Sequence, residues 1–444
     1  MLLRNKKRRK ILALAWPAVL ANLMYTVVSL VDLIMVGSLG AEAVAAVGLG
    51  GLLIWISYGV MASVATGTTA LVARFIGARE KRDSEKVLTQ SFVLVAGFSI
   101  FITVAALMYS EKILAFIGTE RAVAELGGVY LRTVFIATVF IFLTLVAEGA
   151  LRGAGDTKTP LKIDLIINGV NLGLDYLLIY GNFGFPKLGV LGAGIASASA
   201  FTMGAVLYFG VLLSNRYVLS FRFSDLSIDF GMMRRILRIG VPSSIEKLIM
   251  SGSIAVYASI IVGFGTIPLA AHQIGLRIEA LSFMPGIGFA VAATALVGQN
   301  LGAKERKKAY AMGWETSKLC VGFMTLVGVI LFIFPREFIL FFTRDESVIE
   351  LGILYLRLVA ISQPFLALTF VLTGALDGAG DTRRVMYITI FGLWFFRLPL
   401  AYFLGITMGY GVLGAWIAMI IDIFVRSLAL VYRFKSKKWM EIKV

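Results

Sequence analysis

GALRGAGDT occupies Gly149–Thr157, and GALDGAGDT occupies Gly374–Thr382, 225 residues further along the chain. The surroundings of the phrase recur with it. LVARFIGARE (from Leu71) matches LVGQNLGAKE (from Leu296) at the same displacement, as Pro17 matches Pro242. GVLGAGIA (from Gly189) matches GVLGAWIA (from Gly411) with a slip of three residues. A chain that repeats itself at half its length is a tandem duplication, so its function is built from two similar halves.

Composition sets the class. Of 444 residues, 59% are hydrophobic and only 15% charged, with a mean hydropathy of +0.89; a soluble domain carries roughly 25% charged residues. Apolar blocks such as Val87–Tyr109 and Met312–Phe334 are each long enough to cross a bilayer core of about 30 Å as a helix. The net charge of +16 lies in clusters between these blocks, which suits lipid head groups and excludes nucleic acid as its purpose. One cysteine, Cys320, and one histidine, His272, leave no disulfide framework, no HExxH and no Cys/His cluster. The phrase GAGDT has no strand before it and no GK[ST] after it, so it reads as a helix-capping turn and not as a phosphate loop. Neither an enzyme nor a bound cofactor is indicated. The N-terminal RNKKRRKILALAW begins like a signal peptide, but the apolar stretch runs on without a small-residue cleavage site and reads as the first span.

Twelve spans are expected, at about 11–36, 43–73, 87–109, 126–151, 160–181, 188–213, 233–262, 268–298, 310–334, 350–375, 384–404 and 410–432. Alternate loops carry the basic residues: Arg4–Lys10, Lys81, Lys158, Arg222, Lys304, Arg384 and Lys435–Lys443 lie on one side. The positive-inside rule makes that side, and both termini, cytoplasmic. Six spans per repeat give parallel repeats related by a pseudo-twofold axis along the membrane normal. The expected fold is therefore an all-α integral membrane protein of two six-helix lobes, 1–213 and 233–444, joined by a cytoplasmic linker at 214–232.

Charges inside spans cost roughly 2.5–3.5 kcal/mol or more and mark candidate functional sites. Asp32 and Asp175 fall near the outer ends of spans one and five, at a similar depth, with Asn171 one turn from Asp175. No base sits in the nearby apolar stretches, so the two acids must hold a proton or bind a cation such as Na⁺, unless each is hydrated or bonded to a neighbouring helix and only fixes packing. The second lobe supplies both signs: Glu246 and Lys247, Arg277 and Glu279, and Arg397. These can form a self-neutralised network or touch substrate. Asp422 and Arg426 have the spacing of an intrahelical pair, and His272 reads as a packing residue. Pro17 and Pro242 occupy equivalent places and permit paired helix bends.

The stretches WPAVLANLMYTVVSLVDLIMVGSLG, LVGQNLGAKE and LAAHQIGLRIEALSFMPGIGFAVAATALVGQ, with both GAGDT phrases, resemble the multidrug and toxic compound extrusion (MATE) family over essentially the whole chain. The resemblance implies secondary active efflux of organic, often cationic, compounds against H⁺ or Na⁺, by a monomer in the cell membrane. Asp32, Asn171 and Asp175 match the cation site of the prokaryotic DinF-like branch, and Ser197 takes the place of its span-six hydroxyl. Glu246 matches a glutamate of the NorM-like branch, but 363–374 lacks the acid that accompanies it there, which favours coupling through the first lobe. A flippase for lipids or lipid-linked glycans is the alternative within the wider superfamily, with Arg277 and Arg397 as its candidate cations.

Overall fold

The computed structural model describes residues 6–214, 216–222 and 226–442; Arg4 and Lys443, at the ends of the terminal basic clusters, lie outside the described residues. The first repeat contains α1 (Lys6–Gly37), α2 (Ala41–Ala78), α3 (Lys81–Phe116), α4 (Arg121–Ile136), α5 (Thr138–Ala154), α6 (Lys158–Tyr180) and α7 (Val190–Leu213). The second contains α8 (Phe230–Val262), α9 (Thr266–Gly302), α10 (Arg306–Ile333), the short α11 (Pro335–Leu340) and α12 (Glu346–Gly378). It closes with α13 (Thr382–Thr407) and α14 (Gly411–Lys435). Among the described residues eleven helices are long and apolar enough to cross a membrane, and the bent pair α4–α5 supplies a twelfth crossing. The protein is a multi-pass, all-α membrane protein, as the apolar blocks require.

Two spans depart from regular helix. The fourth, expected as one rod, bends by 54° between α4 and α5. There Thr103 Oγ1 donates to the Phe135 carbonyl at 2.9 Å, an acceptor the helix ladder would otherwise use, and Ala137 sits at φ −85°, ψ 4°. A side chain inserted into the ladder accounts for the kink. In α13, wide i→i+5 turns at Phe391–Arg397 and Phe403–Thr407 flank Pro399. Such turns relieve the clash between a proline ring and the preceding turn.

The duplicated phrase has a packing reason. Gly155 (φ 90°) and Gly380 (φ 79°) both take the left-handed conformation that ends a helix. Each repeat closes that turn with the same bonds: Asp156 N to Leu151 O at 2.9 Å, and Asp381 N to Leu376 O at 2.8 Å. Two residues before the turn, a Cβ on Gly153 would stand 2.5 Å from the Thr69 carbonyl, and one on Gly378 would crowd that of Thr294. Thr69 Oγ1 donates to Gly149 O at 2.9 Å, and Thr294 Oγ1 to Gly374 O at 2.8 Å. Small residues thus let the fourth span of each repeat lie backbone to backbone on the second.

The chain forms two compact units, 1–19 with 242–444 and 20–241. These differ from lobes cut at 213 and 233, because the first stretch of α1 belongs with the second repeat and the first stretch of α8 with the first. Ile11, Leu14 and Ala15 are buried in the core that holds Leu296, Tyr355 and Trp416. Gly288 of α9 receives Ala15 and Val19, just as Gly240 of α8 lies against Ser63 of α2. Both breaks fall within a few residues of Pro17 and Pro242.

The part of the linker described is held on α3. Gln90 Nε2 donates to Ser227 O (2.8 Å) and its Oε1 accepts from Asp229 N (3.0 Å). Arg222 pairs with the buried Glu85 at 2.9 Å, and Lys86 with Asp229 at 2.5 Å. Outside the spans, the Lys86 ammonium and the Met232 amide hold the Asp229 carboxyl below the usual carboxylate range.

Candidate functional site

Asp32 and Asp175 come together in the first repeat. Each lies five residues from the end of its helix, Gly37 for α1 and Tyr180 for α6. Those two ends are tied: Ser38 Oγ donates to the Tyr180 hydroxyl (3.2 Å), which donates to Met35 O (3.3 Å). The tie brings the two carboxyl groups within electrostatic reach of each other. Asp175 is 2% exposed and Asn171 9%. Asp32 Oδ1, Asp175 Oδ1 and Asn171 Nδ2 are buried without a hydrogen-bond partner. No lysine or arginine among the described residues pairs with either acid. Two neighbouring carboxyl groups with no base must hold a proton or a cation, since both cannot be ionised and bare in a low dielectric. Two carboxylate oxygens and a neighbouring amide are hard oxygen-rich donors of the kind that suit Na⁺ as well as H⁺.

Ser197 of α7 joins this site through a second residue. It lies near the Tyr130 hydroxyl, and Tyr130 is within electrostatic reach of both acids. Tyr25, within reach of Asp32, completes the surroundings. Neither tyrosine was singled out from the sequence. Tyr25 could have been, because it precedes Asp32 by seven residues and so shares its helix face.

In the second repeat Glu246, Arg277, Glu279 and Arg397, read as a self-neutralised network or as substrate contacts, are joined by no salt bridge to one another among the described residues. Arg277 and Glu279 are two residues apart on α9 and so point to opposite sides of the helix. Glu279 turns inward, 2% exposed, and accepts from the Tyr355 hydroxyl at 2.7 Å. Arg277 turns outward, is exposed, and makes no ion pair among the described residues. Glu246 accepts from Thr389 Oγ1 at 2.7 Å. Arg397 lies within electrostatic reach of Glu279 but pairs with another acid, its Nη2 2.8 Å from Asp422 Oδ2. Arg426 grips the same carboxylate in bidentate fashion, at 2.8 Å to each oxygen. The intrahelical Asp422–Arg426 pair is as the spacing predicts, but Arg397 makes it a triad around a fully buried carboxylate. Gly392 leaves the room, since a Cβ there would stand 2.5 Å from Asp422 Oδ1.

Asp377 was hidden inside the repeated phrase. It sits on α12 within electrostatic reach of Glu246 and Lys247. His272 is buried among the rings of Tyr257, Tyr355 and Trp416, with centroids 5.8, 5.4 and 6.5 Å away. The two GAGDT aspartates also diverge. Asp156 caps α6, accepting from Thr159 N at 3.0 Å, whereas Asp381 takes Arg433 Nε at 2.6 Å. Burial pushes the Asp381 carboxyl up, and the Arg433 guanidinium offsets part of that rise.

A duplicated bundle of membrane-crossing helices, with an unneutralised acid pair buried in one half, has the build of a membrane transporter and not of an enzyme. The MatE family signature matches residues 17–177 and 242–403, one segment in each repeat, and the chain belongs to the MatE family of transporters. It is 32% identical over 435 residues to a probable multidrug resistance protein NorM of Thermotoga maritima, covering 97% of this chain and 93% of the relative. A crystal structure of MATE in complex with MaD3S superposes with a TM-score of 0.91 at 24% identity, over 98% of both chains. A crystal structure of MATE in the straight conformation gives 0.90 at 25% identity, again over 98% of both.

Proposed function

We propose that this chain is a secondary active multidrug exporter that moves drug-like organic compounds, often cationic, out of the cell by antiport with H⁺ or Na⁺. The observation that carries the reading is the nearness of Asp32 and Asp175 with no base beside them. The pair has a bare state and a neutralised state of very different energy. Binding H⁺ or Na⁺ removes the repulsion between the carboxyl groups and permits α1 to rearrange. Pro17, two residues before the chain passes from one compact unit to the other, is the natural point of bending. Transport follows when drug and cation favour different conformations, because a ligand with equal affinity for both shifts neither. Coupling through the first repeat is the DinF-like pattern, with Asn171 and, through Tyr130, Ser197 supporting the acids.

The setting is the cell membrane, with both termini and the Lys81, Lys158, Arg222, Lys304 and Arg384 loops cytoplasmic and the chain working as a monomer. A flippase for lipid-linked glycans draws less support. Of its two candidate cations, Arg397 is bound to Asp422, which leaves Arg277 alone for a pyrophosphate head group. Purified protein in proteoliposomes tests the reading: a cationic dye should be driven out by an imposed pH or sodium gradient, applied one at a time. Dye indifferent to both gradients, with tight binding of polyprenyl phosphate in detergent, would transfer the assignment to the flippase class.

A further inference from the structure

A crevice of about 220 Å³ separates α13 from α14 and takes no part in the coupling proposed above. Arg384, Tyr387, Ile388 and Phe391 line it from α13, and Arg426 and Ala429 from α14. From Arg384 to Gly392 it runs about 12 Å along the helix. An ion pair stands at each end. At the mouth, Asp381, just before α13, takes Arg433 Nε of α14 at 2.6 Å, which ties the start of one helix to the end of the other. At the inner end, Arg426 is turned back onto Asp422 of its own helix. Its methylene stem lies over Gly392, where a Cβ would crowd Arg426 Cγ. The guanidinium is thus occupied, and Arg426 presents chiefly carbon to the crevice. With Ile388, Phe391 and Ala429 it makes an apolar interior.

The mouth has the opposite chemistry. Arg384 is exposed and makes no ion pair among the described residues. The acid within its electrostatic reach, Asp381, is already held by Arg433. Arg383 and Lys435, exposed at the same two helix ends, add positive charge, and neither has an ion pair among the described residues. Tyr387 and Phe391 on α13, with Leu428 and Tyr432 on α14, are exposed beside the crevice, a surface that suits acyl chains better than water. A small free anion would leave the apolar walls bare, and a purely apolar molecule would leave Arg384 unanswered. An anionic head joined to a hydrocarbon chain satisfies both.

We propose that the α13–α14 crevice binds one anionic phospholipid, with its phosphate on Arg384 and an acyl chain along Ile388, Phe391 and Ala429. On the topology proposed above, the mouth meets the cytoplasmic leaflet, where anionic lipids lie. The site rests on that reading only for which leaflet supplies the lipid. A lipid held there braces α13 beside its first wide turn, which begins at Phe391.

Native mass spectrometry on the purified full-length protein, in nonionic detergent with phosphatidylglycerol and phosphatidylcholine of equal chain length, reads the retained lipid directly. One phosphatidylglycerol should stay bound in preference to phosphatidylcholine. It should also raise Tm, as a ligand of the folded state does. Arg384→Gln, at an exposed position, should cut the preference about fivefold. Ala429→Leu, which fills the apolar wall, should release the lipid although every base remains. Lys307→Gln, at an exposed base in the first turn of α10, should change nothing. Equal retention of the two lipids, or a preference that survives Arg384→Gln, overturns the proposal. A loss with Lys307→Gln as large as with Arg384→Gln also overturns it, by showing a general attraction to the basic surface. Displacement by an equal concentration of glycerophosphoglycerol, the same head group without chains, would reveal an anion site with no acyl chain and has the same consequence. Binding is read without any gradient, so its failure leaves the antiport reading standing, and a failure of gradient-driven efflux leaves the lipid site standing.

Discussion

The two repeats share a scaffold and differ in charge. At matched positions of the duplicated phrase the first has Arg152 and the second Asp377, and where the first has Asp164 the second has Thr389. Asp32 is matched by Tyr257, which donates to Ala415 O at 2.9 Å and lays its ring 5.8 Å from the Arg397 guanidinium. In the second repeat most buried acids are answered: Asp422 by two arginines, Glu279 by Tyr355, Glu246 by Thr389. In the first, no base answers Asp32 or Asp175 among the described residues. Duplication copied the backbone contacts, which depend on glycines, and left the polar positions free to diverge. The second repeat gives Asp422 two arginine partners, while the first leaves its outer acid pair without a base.

The largest expected effect breaks that asymmetry. Asp32→Asn or Asp175→Asn replaces one of the two acids by a neutral amide and removes the repulsion between them, so the protein should fold and still bind dye. Gradient-driven efflux in proteoliposomes should nevertheless be lost, and the double variant should add little to either single, as expected for one shared site. Full efflux by both single variants would place coupling elsewhere, with Glu246 the next candidate. The opposite pattern is expected in the second repeat. Asp422→Asn leaves Arg397 and Arg426 buried without a counter-charge, at a cost of about 3–5 kcal/mol. Its signature is a large fall in Tm. By contrast Arg277→Ala, on an exposed side chain, should leave Tm near that of the parent.

The fold was largely legible because its signals are repetitive: apolar blocks, glycine phrases and alternating basic loops. Every span expected from composition has a helical counterpart in the structure. The bend between α4 and α5 was not legible, because it arises from Thr103 on another helix. The residues at which the units divide were hidden for a similar reason, since Ala15 on Gly288 and Gly240 on Ser63 are contacts between distant segments. Asp32 and Asp175 could be paired on paper because each announces its depth by its distance from a helix end. Arg397 could not be assigned to Asp422, as that depends on the wide turn in α13. Asp377 was overlooked because it sits inside a phrase that reads as a turn, and Tyr130 because a tyrosine in an apolar run looks like packing.

If the scaffold is the shared part, equivalent glycines should be equally intolerant. Gly153→Ala and Gly378→Ala each drive a methyl group into a carbonyl of the neighbouring helix, and overpacking of this kind costs about 1–3 kcal/mol. Thermal melts of the two variants in one detergent should show falls of similar size. A change confined to one repeat would mean that the repeats have diverged in packing as well as in charge.

The smallest effect concerns the clasp that the first repeat makes with the linker. Lys86 and Asp229 are about one-third exposed, 37% and 32%, so their pair is screened and should contribute no more than about 1 kcal/mol. Its sign with pH is fixed. The Asp229 carboxyl is held below its ordinary value in the folded protein, chiefly by Lys86 and then by the Met232 amide. The stabilisation is therefore present above the carboxyl's unfolded value and disappears as pH falls through the folded one. Lys86→Ala should lower Tm slightly at neutral pH, and the gap from the parent should close in acid and narrow in high salt. The second repeat ties its own end differently, with Asp381 buried against Arg433, and there burial holds the carboxyl up. The Asp381 carboxyl should therefore take up its proton at a higher pH than Asp229 does. A Lys86→Ala gap that stayed constant through acid pH would show that the lysine acts by packing, and that charge in the linker does not help hold it on α3.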